Sequence, residues 1–267
     1  MKALETAEHL DLPGPRAWLA GDWHAVASWI ERVVPAMGRT SDATSILHVG
    51  DLWPSDELCK TIDYWCAKAG ITHLVLTGGN HEPWAEVESL LAEAPGHAVR
   101  VSEVVWLLPR PARLTVGGRR VLSVGGATSV DRETRIPGKN WWRSEEITDE
   151  QVDQAIAWGD ADLLITHESP ETVTPAVRHI LEKPAPWIPQ SALRDSAAGR
   201  ARLERVLRST RPRLTAHGHY HSHDYRTLED GSQIVSLGCN GQPGNAVQLD
   251  LRTFEWEALP FTEILRR

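Results

Sequence analysis

Seven polar side chains of metal-ligating type fall at the ends of short apolar runs: Asp22, His24, Asp51, Asn80, His167, His219 and His221. Asp22 and His24 are two residues apart where a strand-like run ends, so an extended backbone points both to one side and Trp23 to the other. His219 and His221 repeat that spacing. Carboxylate, imidazole and amide donors without a thiolate suit Mn, Fe, Zn or Co and not a copper or iron–sulfur site. The chemistry open to such a set is metal-assisted hydrolysis.

Other histidine-rich metal sites demand spacings that are absent. The run His217 to Asp224 does not contain His-x-His-x-Asp-His, the pattern of a metallo-β-lactamase-like enzyme. His81-Glu82 is followed by Pro83-Trp84-Ala85, and His167-Glu168 by Ser169-Pro170-Glu171, so neither completes the H-E-x-x-H of a zincin. Lone histidines are more often satisfied structural residues than ligands, the reading preferred for His9, His48, His73, His97 and His179. His217 and His223 flank the H-x-H pair and are assigned to structure before ligation.

The order along the chain is more specific than any one pair: D-x-H, then G-D, then G-N-H-E, then a His after a strand, then G-H-x-H, spanning Asp22 to His221. This series resembles the calcineurin-like metallophosphoesterase family, which includes binuclear phosphatases and phosphodiesterases. The resemblance implies that Asp22, His24 and His221 bind one metal ion, that Asn80, His167 and His219 bind a second, and that Asp51 bridges them. It implies two divalent or Fe-type ions as cofactors, Mn foremost with Fe, Zn or Co as alternatives. It gives His81 the role of proton donor or phosphate stabiliser. Two divalent ions with Asp22 and Asp51 leave about +2 beside neutral imidazoles, a centre that attracts anions. It would lower the pKa of a bridging water toward neutrality, making the attacking hydroxide. In one respect the sequence departs from many members, which carry another Asp three residues beyond the bridging one. Pro54 stands there, so local support for the site must come from elsewhere.

Elements that could position these residues are legible on both sides. Ala17–Leu19, Ile46–Val49, Leu74–Leu76, Leu163–Ile165 and the short run at Leu214 read as strands delivering side chains to a sheet rim. Val26, Trp29, Ile30 and Val33 recur at helical spacing until Pro35, expected to stop the helix. Ser55 is a cap for a helix carrying Leu58, Ile62 and Trp65, and Thr148 with Gln151 has capping-box spacing. Leu114–Val116 and Val121–Val124 flank Gly117-Gly118 as a hairpin. Ile234–Leu237 and Val247–Leu251 read as strands around the Gly-rich turn Gly238–Gly244, and Glu182–Gln190 as a proline-rich loop. Alternation of strands and helices gives an α/β class. The resemblance sharpens it to a four-layer αββα sandwich of two mixed β-sheets.

At 267 residues and 41% hydrophobic the chain can bury a full core, and one domain over 1–267 is expected, with 1–15 as an N-terminal lead-in. No apolar run approaches the roughly 20 residues that cross a bilayer, and the N-terminus lacks the apolar stretch of a signal peptide, so a cytoplasmic protein is expected. Cys59 and Cys66, seven residues apart on one helix, are separated by about 10 Å along its axis. That is too far for a disulfide, and they and Cys239 read as buried thiols. The formal charge of −8 disfavours broad nucleic-acid binding without excluding a small phosphorylated substrate.

Two cationic segments remain. Asp131 to Arg143 offers Arg132, Arg135 and Trp141 as substrate contacts, arginine as a fork for phosphate and tryptophan as a stacking face. The seven arginines between Arg194 and Arg213 accompany Leu203, Val206 and Leu207 and read as the wet face of an amphipathic helix, with a phosphate-rich partner as the minority reading. The expected activity is hydrolysis of phosphomonoesters or phosphodiesters, small or nucleotide-like, without a phosphoenzyme. The alternative is a non-catalytic scaffold on the same fold that binds a protein partner. Degenerate family members of that kind have lost ligands or the catalytic histidine, whereas all are kept here.

Overall fold

The computed structural model describes residues 1–266. The chain runs β1 (Glu5–Ala7), β2 (Asp11–Leu12), β3 (Arg16–Ala20), α1 (Ala27–Thr40), β4 (Ser45–His48), α2 (Asp56–Ala69), β5 (His73–Leu76) and α3 (Trp84–Ala92). It continues through β6 (Ala98–Arg100), β7 (Val105–Leu107), β8 (Ala112–Val116), β9 (Arg119–Val124), α4 (Asp149–Ala157) and β10 (Leu163–Thr166). It ends with α5 (Pro175–Glu182), α6 (Gln190–Thr210), β11 (Leu214–His217), β12 (Asp224–Thr227), β13 (Gln233–Ser236), β14 (Ala246–Asp250), β15 (Trp256–Ala258) and α7 (Phe261–Leu265).

Two mixed sheets form, ordered β1-β6-β7-β5-β4-β3-β14-β15 and β12-β13-β11-β10-β9-β8-β2. In the first, β3, β4, β5 and β7 are parallel; in the second, β9, β10, β11 and β13 are. Successive residues of each central strand point to opposite faces, and both sets are buried because each sheet is covered on both sides. Leu19, Leu47 and Val75 of the first sheet meet Val121, Leu163, Ile165 and Val235 of the second in an inter-sheet core. Trp18, Ile46 and Leu74 face outward onto α1, α2 and α3. Leu122, Leu164 and Ile234 face outward onto α4 and α6. Helix, sheet, sheet, helix is the four-layer arrangement that the motifs imply.

The anticipated local signals act as expected at several points. Ser55 Oγ accepts from Leu58 N, Thr148 and Gln151 close a capping box, and Gly117 and Gly118, both at positive φ, turn the β8–β9 hairpin. Cys59 and Cys66 lie buried on α2. Cys239 departs from the expected burial and is only half-buried.

Two expectations are corrected, and one is located in the fold. Pro35 does not stop α1, which continues to Thr40. Ala36 and Met37 beyond the proline are buried, and Gly38 lies so close to Ala69 of α2 that a methyl group would strike its backbone, so packing outweighs the lost hydrogen bond. The two strands expected around Gly238–Gly244 form, β13 in one sheet and β14 in the other, so this turn crosses between layers. Within Glu182–Gln190 the first and last residues terminate α5 and begin α6, leaving 183–189 as the loop. Among the described residues no helix is long and apolar enough to cross a membrane.

Candidate metal centre

The carboxyl ends of β3, β4 and β5 in one sheet and of β10 and β11 in the other meet along one edge of the stacked sheets. Asp22 and His24 follow β3, Asp51 follows β4, and Asn80 and His81 follow β5. His167 follows β10, and His219 and His221 follow β11. All seven sequence-derived ligand candidates therefore converge, but not on extended backbone. Asp22, His24, Asp51, His219 and His221 take φ between 47° and 69°, the left-handed region that costs non-glycine residues energy. Strand alternation is thus not what aims each pair. Tight loops past the strand ends do so, tied by Asp22 N to Gly50 O at 2.8 Å and His24 N to Asp51 O at 2.8 Å.

Donor atoms gather in two groups. Ligand atoms of Asp22, His24, Asp51 and His221 lie within 4.8 Å of one another, with His221 Nε2 at 3.3 Å from Asp22 Oδ1 and His24 Nε2 at 3.5 Å from Asp51 Oδ2. In the second group, Asn80 Oδ1 is 3.0 Å from both His167 Nε2 and His219 Nδ1, and His167 Nε2 is 3.2 Å from Asp51 Oδ1. Donors at bond lengths of about 2.0–2.2 Å around one divalent ion are separated by about 3.0–3.6 Å. Asp51 offers one oxygen to each group.

The donor chemistry fits cations. His167 donates Nδ1–H to Val49 O at 2.8 Å, so Nε2 is the nitrogen turned toward two oxygens, a lone pair for a cation whenever the ring is neutral. Asp22 Oδ2 is buried without a hydrogen-bond partner. Burial pushes His167 down, yet Asp51 outweighs it and carries the imidazole up to about 9. At His221, burial is overcome by Asp22, with help from Cys239, and the group rises to about 10. Both rings seek a positive charge that a metal ion supplies in place of a proton. His219 is driven the other way, to about 3, by burial and by His167.

Neighbouring residues hold the donors. His24 Nδ1–H points at Asn240 Oδ1, 2.9 Å away, leaving Nε2 toward Asp51. Asn80 Nδ2 donates to Ser129 Oγ at 3.1 Å. The buried Glu82 carboxylate accepts from Leu52 N, Trp53 N and Gly79 N, at 3.3, 2.8 and 3.0 Å, and so supplies the support for the Asp51 loop that Pro54 does not. Asn245, fully buried, bonds Gly21 O and Gly238 O while accepting from the indoles of Trp23 and Trp29. Sequence reasoning missed Asn240 and Asn245, whose only signal is their place within and just after the Gly-rich turn. Gly79 and Gly218 are also functional, because a methyl group on either would overlap Asp51 Oδ1 or Asp22 Oδ2.

His81 lies at the rim, its backbone N–H on Asp51 Oδ1 at 2.7 Å and its ring edge-on to His24. Burial lowers its imidazole below the usual range, opposed by Asp51 and reinforced by Arg135. Arg135 Nη2 donates to His81 Nε2 at 2.7 Å. Arg132, by contrast, is not brought to the centre: its guanidinium joins Glu146 at 3.2 Å and Asp195 at 2.6 Å, tying this segment to α6. Trp141 donates to Glu145 Oε1 at 3.2 Å, and Trp142 packs on Trp53 with ring centroids 6.2 Å apart. His217 and His223 donate to the carbonyls of Gly218 and Ser236 and stand outside both donor groups. Most arginines of α6 and the turn after it are engaged internally, Arg202 and Arg205 with Asp149 and Arg211 with Asp160.

Two mixed sheets under helices, with carboxylate, imidazole and amide donors at their shared carboxyl edge, define a metallophosphoesterase architecture. The model of the calcineurin-like phosphoesterase family matches residues 15–223, and the chain belongs to that family. Among solved structures, a dimetal phosphatase from Danio rerio is similar at 13% identity and TM-score 0.55, covering 92% of this chain and 96% of its own. The phosphopantetheinyl hydrolase of Mycobacterium tuberculosis is similar at 14% identity and TM-score 0.49, with 88% and 96% covered. A 5'-nucleotidase from Candida albicans is similar at 13% identity and TM-score 0.48, with 96% and 53% covered. No curated protein sequence matches the chain.

Proposed function

We propose that this protein hydrolyses phosphate esters at a dinuclear metal centre, with a small phosphorylated or nucleotide-like molecule as substrate. The observation that carries the proposal is the meeting of two lone-pair clusters at the single carboxylate of Asp51. Asp22, His24 and His221 would hold one ion, Asn80, His167 and His219 the other, with Mn, Fe, Zn or Co compatible with these donors. When bound, two such ions neutralise phosphoryl oxygens and acidify a water that attacks phosphorus.

The chain's own residues then orient the ester and manage the leaving group. His81 and Arg135 present an imidazole and a guanidinium side by side. A phosphoryl oxygen that takes the guanidinium N–H frees His81 Nε2 to take a proton from solvent water, favoured by the adjoining phosphate anion, and to pass it to the leaving oxygen. Arg135, pinned through Nε to Asp131 at 2.8 Å, has its charge in place before substrate arrives, which lowers the cost of orienting it. The nucleotide-like reading draws support from the half-exposed Trp53 and Trp142, whose faces suit a base.

The test is turnover of bis-p-nitrophenyl phosphate and p-nitrophenyl phosphate by apo-protein reloaded with Mn, Zn, Co or Fe(II). Metal-dependent hydrolysis of either is expected. Bound metal with no turnover of either ester under any loading would contradict catalysis and favour a protein-binding scaffold. A screen of phosphorylated metabolites and cyclic nucleotides with the Mn-loaded protein then identifies the substrate.

A further inference from the structure

Behind the second donor group lies a buried polar network that neither packing nor metal ligation accounts for. Glu168 follows His167, is 1% exposed, and uses both oxygens. Oε1 accepts from Tyr220 Oη at 2.6 Å and Ser169 N at 2.9 Å, and Oε2 accepts from Ser196 Oγ at 3.2 Å. Arg200 of α6 reaches in from the helix, with Nη1 at 2.7 Å from Ser196 Oγ and 3.4 Å from Tyr220 Oη. A carboxylate this deep is costly unless its partners are fixed, and an apolar residue would fill the space at lower cost.

The same carboxylate lies beside a candidate ligand. Glu168 Oε2 is 3.8 Å from His219 Nε2, while His219 Nδ1, across the ring, is 3.0 Å from Asn80 Oδ1. A neutral imidazole carries one N–H. At 3.8 Å the carboxylate is beyond hydrogen-bond length and acts through its charge, which favours that hydrogen on Nε2 and leaves the Nδ1 lone pair aimed into the second donor group. Tyr220 lies between the two histidines of the G-H-x-H motif, so the x of that motif and the residue after the isolated His form one support.

We propose that Glu168 is a positioning residue for the second ion, favouring one tautomer and ring orientation of His219 and itself held by Tyr220 and Ser196, which Arg200 in turn bonds. This role rests on the two-ion reading of the centre. It also gives Arg200, one residue of the arginine-rich helix, a place behind the site through Ser196 and Tyr220.

The test is titration of metal-free protein with Mn²⁺ by calorimetry, with elemental analysis after dialysis and electron paramagnetic resonance of the loaded protein. Wild type should bind two ions and give the spectrum of a spin-coupled pair. Glu168→Gln should bind the second ion about 10–100-fold more weakly, retain one ion after dialysis and lose the coupled spectrum, with first-ion affinity unchanged. Tyr220→Phe, which removes only a hydroxyl, should weaken the second ion in the same direction and by less, and serves if Glu168→Gln does not fold. A purely structural role would lower both affinities together. Two ions bound with wild-type affinities in the variants, or equal losses at both sites, overturn the role of Glu168. Fewer than two ions in wild type overturns the two-ion reading and, with it, this role.

Discussion

Arg135 and His81 share a hydrogen bond of 2.7 Å in which the guanidinium is the donor, so the imidazole of the resting protein keeps its own hydrogen on Nδ1. The histidine proposed to protonate the leaving oxygen is thus held by the cation proposed to receive the phosphoryl group. His81→Ala is expected to retain both ions while turnover falls about 100-fold or more. Arg135→Ala should also keep its metals and lose about 10–100-fold in kcat/KM, the scale of one charge-assisted contact of roughly 1.5–3 kcal/mol. Steady-state kinetics beside elemental analysis checks both, and wild-type turnover by the His81 variant would remove His81 from the chemistry.

Asn240 fixes His24 from behind through the 2.9 Å contact to Nδ1. Asn240→Ala is expected to weaken the first ion by about 10–100-fold and leave the second unaffected. Calorimetry with Mn²⁺ reads the split, and the expectation fails if both ions bind as in wild type.

Gly218 leaves no room for a side chain, since a methyl group would overlap Asp22 Oδ2. Gly218→Ala should displace the Asp22 carboxylate, deplete the first ion and cost roughly 1–3 kcal/mol of stability. Denaturant unfolding and metal content are the measurements; full metal content with unchanged stability would show that the loop yields without cost.

Glu145 provides a pH signature at the rim. Its side chain is buried, Oε1 accepts from Ser129 N and Trp141 Nε1, Oε2 has no partner, and burial pushes the group up to about 7 against an ordinary 4.5. The native state therefore holds this proton more tightly than the unfolded chain. The resulting stability is complete below pH 4.5 and is lost as pH rises through 7, about 3 kcal/mol in all. Between pH 5 and 8 the stability of Glu145→Gln relative to wild type should improve by roughly 2–3 kcal/mol. Parallel urea curves for the two proteins across that range would contradict the assignment.

The centre was legible because each ligand candidate terminates an apolar run, and the types and order of those residues survive any error in secondary structure. Their backbone was not: D-x-H and H-x-H read as strand alternation, whereas the loops place these residues in the left-handed region by contacts among segments far apart in sequence. Helix α1 passes through Pro35 because of its fit to α2, a contact that no local propensity encodes. The short strands β1, β6, β7 and β15 have three residues each, too few for a period to register, and exist because a neighbouring strand pairs with them. Asn240 and Asn245 act through partners more than 200 positions away, so only the fold reveals them.

The most direct test of the central claim is anomalous diffraction from crystals of the Mn-loaded protein. Two peaks are predicted, about 3.5–4 Å apart with the Asp51 carboxylate between them. One should lie among Asp22, His24 and His221, and the other among Asn80, His167 and His219. A single peak, or none within reach of Asp51, would contradict the dinuclear centre on which the proposed function rests.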